Sequence, residues 1–94
     1  MDPQSVDILL VEDNPDHVEL ILRTLRENNV VTQVHVATNG EEALEIVHRE
    51  RPDLIIADIL MPKMDGFSMV HRLRINPETR RIPVVFLSAT YVAP

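Results

Sequence analysis

The chain contains no cysteine or tryptophan, and only one tyrosine, one lysine and two glycines among its 94 residues. Without cysteine, disulfide bonds and thiolate metal sites cannot form, and nothing points to an oxidising compartment. The two glycines, Gly40 and Gly66, are isolated. Because no glycine-rich loop follows the first predicted strand, dinucleotide binding is excluded.

Long hydrophobic runs and an excess of positive charge are also missing. No apolar run is long enough to cross a bilayer, and the first residues lack the basic start and apolar stretch of a signal peptide. The formal net charge of −6 opposes nucleic-acid binding, which needs a basic face. Since the composition is 45% apolar and 26% charged, we expect one soluble cytoplasmic domain over residues 1–94, with no membrane contact.

Short apolar strands alternate with segments of helical periodicity. The first helix, for example, has Val18, Ile21, Leu22 and Leu25 on one face. The predicted order is strand 6–11, a helix from 15 closed by 28–29, a strand around 33–36, a helix from 40 to about 49, strand 53–57, a helix after 66, and strand 83–87. This βαβαβαβ order predicts an α/β fold with a parallel sheet and helices on both faces.

Two helix starts carry capping signals. Asn14 precedes Pro15, which suits an N-cap followed by the first helical position. Asn39 and Glu42 have the spacing of a capping box at the start of the second helix.

Polar side chains follow three of the predicted strands. Glu12 and Asp13 end the first strand, Asp58 the third, and Ser88 the fourth. In an open parallel sheet the carboxyl ends of the strands form the ligand site, so we expect the three carboxylates to converge. Converging carboxylates repel one another unless a cation is bound, and oxygen-only ligands favour Mg²⁺. Such a site suits phosphoryl chemistry, with a carboxylate as nucleophile and the Ser88 hydroxyl on a phosphoryl oxygen.

Each acidic residue alone has a simpler interpretation. Asp13 could be only a helix N-cap, and Asp58 only a turn residue. Their joint occurrence at two strand ends is what favours a site.

Four segments of the chain resemble the response-regulator receiver domains of two-component signalling: 8–14 (ILLVEDN), 37–44 (ATNGEEAL), 52–66 (PDLIIADILMPKMDG) and 82–89 (IPVVFLSA). The resemblance implies a flavodoxin-like (CheY-like) fold with strand order 2-1-3-4-5. It also implies that Asp58 accepts phosphate from a sensor histidine kinase or phosphotransfer protein.

The resemblance further implies a metal site. Asp13, Asp58 and the Leu60 carbonyl would bind Mg²⁺, Glu12 would hold metal-bound water, and Ser88 would turn towards the phosphoryl group.

Members of this family continue past the fourth strand with a helix, a fifth strand carrying a lysine, and a final helix. Here the sequence stops at Pro94 and its one lysine is Lys63, so the resemblance implies a domain truncated at its C-terminus. We expect weakened phosphorylation, and a dimer or larger assembly through the apolar fourth-strand edge, Val84–Leu87.

Two other functions compete with the phosphoacceptor. One is a receiver-like interaction module that is not phosphorylated. The other is an aspartyl-phosphate phosphatase, which needs a second aspartate two residues past the nucleophile. Leu60 stands there, so we expect no stand-alone enzyme.

Overall fold

The computed structural model describes residues 5–30, 32–58 and 66–87, and every structural statement below concerns these residues. Strands and helices alternate among them as predicted. They are β1 (Val6–Val11), α1 (Pro15–Glu27), β2 (Thr32–Ala37), α2 (Gly40–Glu50), β3 (Leu54–Asp58), α3 (Gly66–Ile75) and β4 (Val84–Leu87).

The four strands form one parallel sheet in the order β2-β1-β3-β4. The chain passes from β1 to β2 on one side, and then crosses back over β1 to reach β3 on the other. The direction of strand addition therefore reverses between β1 and β3. In open α/β sheets this reversal opens a crevice at the carboxyl ends of the two strands.

Right-handed crossovers decide which face each helix covers. The crossover from β1 to β2 runs across the sheet in the direction opposite to the crossovers from β2 to β3 and from β3 to β4. For this reason α1 lies on one face of the sheet, and α2 and α3 lie on the other. The main core lies on the second face, where Leu9, Val11 and Ile55 pack with Val47 and Met69. On the face of α1, Ile8 and Leu10 are also buried. The expected α/β fold with helices on both faces is confirmed.

The strand bounds differ slightly from those predicted. β4 begins at Val84 because Pro83 has no N–H to donate, although its carbonyl accepts from the Ile55 N–H at 2.9 Å. β3 runs from Leu54 to Asp58, one residue later than predicted at each end. As a result, Asp58 belongs to the strand and pairs with Leu87, instead of starting a loop.

The capping signals hold with one correction. The side chain of Asn39 accepts a hydrogen bond from the N–H of Glu42 at 2.9 Å, as expected. The return bond of the predicted capping box goes elsewhere: Glu42 Oε1 accepts from the N–H of Thr38 at 2.9 Å. The Glu42 side chain therefore bonds to the N–H of the residue before the cap, whereas the capping-box spacing predicted a bond to the N–H of Asn39 itself.

Candidate functional site

Glu12 continues the line of β1 beyond its last strand residue. Its N–H donates to the carbonyl of Ala37 at 2.9 Å, which extends the pairing of β1 with β2 by one residue. Only 6% of Glu12 is exposed, an unusual burial for a charged side chain. The backbone bond and the burial together fix this carboxylate at the carboxyl end of the central strand.

The turn into α1 is organised by Asn14. Its side-chain oxygen accepts from the N–H of Asp16 at 2.9 Å, and Pro15 takes the first helical position. The N–H of Asn14 itself donates to Glu12 Oε2 at 3.2 Å. Since Asn14 is the cap, the simple N-cap interpretation of Asp13 is wrong. Asp13 stands in the bend between strand and helix with an exposed side chain.

The three predicted carboxylates come together. Glu12, Asp13 and Asp58, here called the acidic cluster, each offer one oxygen, and these oxygens lie within 4.8 Å of one another. Glu12 is buried, Asp58 half-buried and Asp13 exposed, so the cluster runs from the end of the sheet to the surface. The sequence-based expectation of convergence at this edge is confirmed.

Burial and the negative charge of Asp58 act on the pKa of Glu12 in the same direction. Burial raises the pKa of this carboxyl above its ordinary value, and the Asp58 charge and a hydrogen bond with Asp13 raise it further. The N–H of Asn14 and the nearby His17 partly oppose these effects by lowering the pKa. The surroundings of Glu12 therefore disfavour the charged form of this carboxyl, and a cation bound beside it would offset that effect.

His17 is a member of the site that the sequence analysis missed. Its Nδ1 lies 3.3 Å from Glu12 Oε1, and its side chain is 34% exposed. In the sequence, the four histidines are scattered without the spacing of metal ligands. The one available signal was the position of His17 in the first turn of a helix that starts directly after the acidic pair.

Leu60 and Ser88, the two other predicted site residues, lie outside the described residues, as does Lys63. The donors that the described part of the site offers are carboxylate oxygens. Hard oxygen donors of this kind fit Mg²⁺ or a similar divalent cation, which takes one or two carboxylates together with water and phosphate oxygens.

Comparison with known proteins identifies the family. The response regulator receiver domain model matches residues 8–93. The chain belongs to this family. A receiver domain is a phosphoacceptor module of two-component signalling, and receiver domains in general are not stand-alone enzymes. The flavodoxin-like fold implied by the sequence agrees with this membership.

Two curated relatives illustrate the match. An uncharacterized 14.6 kDa protein from Leptolyngbya boryana is 39% identical over 85 residues, which are 90% of this chain and 63% of that protein. The response regulator PleD of Caulobacter vibrioides is also 39% identical over 85 residues, which are 90% of this chain and 18% of PleD. The chain thus spans less than two thirds of the length of these relatives.

Among solved structures, the receiver domain of the sensor histidine kinase PA1611 from Pseudomonas aeruginosa PAO1 has a TM-score of 0.81 and 33% identity, covering 94% of this chain and 70% of that one. That structure has a magnesium ion coordinated in its active site cleft. In the present receiver domain, none of the helices within the described residues has the length and apolar character needed to cross a membrane.

Proposed function

We propose that Asp58 is the residue phosphorylated in this receiver domain, and that residues 1–94 all belong to that one domain. The observation that carries the proposal is the convergence of Glu12, Asp13 and Asp58, whose carboxylate oxygens lie within 4.8 Å of one another. They meet at the carboxyl ends of β1 and β3, where the direction of strand addition reverses. The donor would be a phosphohistidine on a sensor histidine kinase or phosphotransfer protein. Sensor histidine kinases transfer phosphate in the cytoplasm, so we also propose a cytoplasmic location for this domain.

Position within the cluster favours Asp58 as the nucleophile. It is the last residue of β3, and its backbone is paired with β4 at Leu87, so its carboxylate projects from a fixed point. Glu12 is buried and already accepts hydrogen bonds on both of its oxygens, from Asn14 and His17. Asp13 lies in the bend that leads into α1 and is exposed.

The chemical step is a transfer between two nucleophiles. A carboxylate oxygen of Asp58 attacks the phosphorus of the phosphohistidine. The new P–O bond makes an acyl phosphate as the P–N bond breaks, and the electron pair of the P–N bond returns to the imidazole nitrogen. Because the attacking group is a carboxylate, it has no proton to lose when the P–O bond forms.

Negative charge is the main obstacle to this step, because three carboxylates face an anionic donor. Bound Mg²⁺ would neutralise charge on the transferred group. Asp13, Asp58 and the carbonyl of Leu60 would hold the ion, and Glu12 would accept from metal-bound water. Ser88 would donate its hydroxyl to a phosphoryl oxygen.

Intact-mass spectrometry after incubation with a small phosphodonor and Mg²⁺ tests the assignment. We expect the mass of one phosphoryl group to be added to the unsubstituted chain, and none to be added to Asp58→Asn. Asp53→Asn is the matched control: it makes the same change immediately before the other end of β3 and should leave phosphorylation intact. Equal phosphorylation of Asp58→Asn would exclude Asp58 as the acceptor.

A second proposal concerns self-association. Within the described residues, β4 pairs with β3 on one side and with no strand on the other. Val85 on β4 is 47% exposed, and Phe67, whose ring centre lies 5.5 Å from that of Phe86, is 66% exposed. An unpaired apolar edge of this kind recruits another strand, so we propose a second copy of the chain as its partner.

Light scattering across a concentration series tests the association. We expect the unsubstituted chain to form dimers, and Val85→Lys to weaken them, because a lysine blunts a strand edge. Val36→Lys is the matched control. Val36 is 40% exposed and lies on the same face in the opposite edge strand, in register with Leu10, Ile56 and Val85. A monomer at every concentration would contradict the proposal.

A further inference from the structure

The carboxylate of Glu12 is held at both of its oxygens. Oε2 accepts from the backbone N–H of Asn14 at 3.2 Å, and Oε1 lies 3.3 Å from Nδ1 of His17. One donor is the main-chain N–H of residue 14, which any residue except proline would supply. The other depends on a single side chain, and it is the one that a substitution can remove.

The start of α1 brings His17 back to the end of β1. Pro15 takes the first helical position, so His17 is third, within the first turn. His17 follows Glu12 by five positions in the sequence, and the bend at Asp13 together with the Asn14 cap brings the two side chains together. The imidazole is 34% exposed and the Glu12 side chain only 7%, so His17 is the outer member of the pair.

We propose that His17 is a positioning residue for the divalent cation: its Nδ1–H fixes the orientation of the Glu12 carboxylate and thereby raises the affinity of the acidic cluster for Mg²⁺. This inference rests on the proposed metal site. It assigns no direct contact between the imidazole and the ion.

The physical reason is repulsion within the cluster. Without a fixed donor on Oε1, the Glu12 carboxylate can rotate away from the charges of Asp13 and Asp58. Two donors on two different oxygens define the plane of the carboxylate, so it stays aimed at the site before the ion arrives. Outer partners of this kind change metal affinity by about 10-fold to 100-fold when removed.

The experiment is isothermal titration with MgCl₂ of the unsubstituted chain and of His17→Ala, His17→Asn and His17→Gln. The amide nitrogen of asparagine can take the place of Nδ1, whereas that of glutamine reaches further, towards the place of Nε2. We expect the dissociation constant to rise about 10-fold in the Ala and Gln variants. His17→Asn should restore most of the affinity.

The comparison of Asn with Gln separates positioning from helix stability. The two side chains carry the same charge, so no electrostatic difference enters. Glutamine is the better helix former, and thermal denaturation should therefore rank the Gln variant above the Asn variant. Magnesium affinity should rank them in the reverse order. His35→Asn is the control, because His35 pairs at 3.6 Å with Glu50, outside the acidic cluster, and its loss should leave affinity unchanged.

Three results would overturn the inference. Equal affinity in all His17 variants would remove any role for this residue. Affinity that follows helix stability, with Gln at or above Asn, would show a structural effect only. If the unsubstituted chain binds no Mg²⁺, the proposed metal site fails and the inference fails with it. In the first two results the unsubstituted chain still binds Mg²⁺, so only the role of His17 is lost.

Discussion

Asp53 and Asp58 stand at the two ends of one stretch of backbone, and their surroundings are opposite. Asp53 Oδ2 accepts the N–H of Asp7 at 2.9 Å, and the N–H of Asp53 donates to the carbonyl of Asp7 at 2.8 Å. Asp58 instead lies within 4.8 Å of two other carboxylates. The first carboxylate stabilises the entry to a strand, whereas the second stands in a group that needs a positive charge.

This difference follows from the direction of the strands. All four run parallel, so every carboxyl end lies at one edge of the sheet, where the chain leaves the strands for its loops. At the opposite edge, where the strands begin (the amino edge), a backbone N–H donates a hydrogen bond to an acidic side chain. At the carboxyl edge beside β1 and β3, acidic side chains from two strands meet one another. The same residue type is structural at one edge and chemically useful at the other.

The largest expected difference between the two edges concerns magnesium. Asp13→Asn removes one carboxylate from the acidic cluster. We expect the affinity for Mg²⁺, measured by isothermal titration, to fall by about 10-fold to 100-fold. Asp53→Asn makes the same change at the other edge and should leave the affinity within about 2-fold of the unsubstituted value. A comparable loss in both variants would mean that the ion binds through the general charge of the chain, with no defined site.

The two edges should also differ in the sign of their effect on stability. Two unit charges at about 4.8 Å repel by roughly 1 kcal/mol in water and by about four times as much near a protein surface. Asp58→Asn should therefore raise the free energy of unfolding of the metal-free protein by about 1 kcal/mol. Asp53→Ala should lower it by about 0.5 kcal/mol, because the exposed N–H of Asp7 loses its partner.

Urea denaturation in the presence of a chelator measures both effects. Adding Mg²⁺ should reverse the order for the carboxyl edge, since the unsubstituted protein then gains binding energy that Asp58→Asn has lost. A metal-free Asp58→Asn variant less stable than its parent would show that hydrogen bonds to Asp58 outweigh the repulsion.

The sequence predicted those features that depend on local pattern. The helical periodicity of Val18, Ile21 and Leu25 and the apolar strands gave the element order, and parallel topology then placed Glu12, Asp13 and Asp58 at one edge. Asn14 and Pro15 gave the start of α1 to the residue. Each of these predictions needed only spacing, residue type and the direction of a parallel strand.

What the sequence did not predict depends on the path of the chain through a bend. His17 reaches Glu12 because the bend at Asp13 reverses the backbone, and no periodicity encodes that reversal. In the same way, Glu42 bonds to Thr38 instead of Asn39, a choice that the local backbone angles make. The role of Asp58 as the last residue of β3 depends on pairing with β4, which lies far along the chain.

The smallest expected effect is the response to pH. Because the pKa of Glu12 is raised in the folded state, the folded protein binds more protons than the unfolded one between about pH 4.5 and that raised pKa. Rising pH in this window therefore lowers the free energy of unfolding. Glu12→Gln removes the titrating group, so in chelator it should match its parent at the acidic end and become the more stable of the two as pH rises.

Glu78 is the control with the opposite sign. Hydrogen bonding and charge from Arg51 lower the pKa of this exposed carboxyl, so its contribution to stability is present at neutral pH and is lost as pH falls through the lowered value. Glu78→Gln should therefore be less stable than its parent at neutral pH, with a difference that shrinks on acidification and in high salt. Thermal denaturation of the three proteins from about pH 3 to about pH 8, in steps of about one unit, covers the Glu12 window above about pH 4.5 and the Glu78 window below it. If the Glu12→Gln difference shrank as pH rose, the Glu12 carboxylate would be favourable to the metal-free fold. The contrast between a carboxylate that accepts hydrogen bonds and one that is repelled by neighbouring carboxylates would then not hold for Glu12.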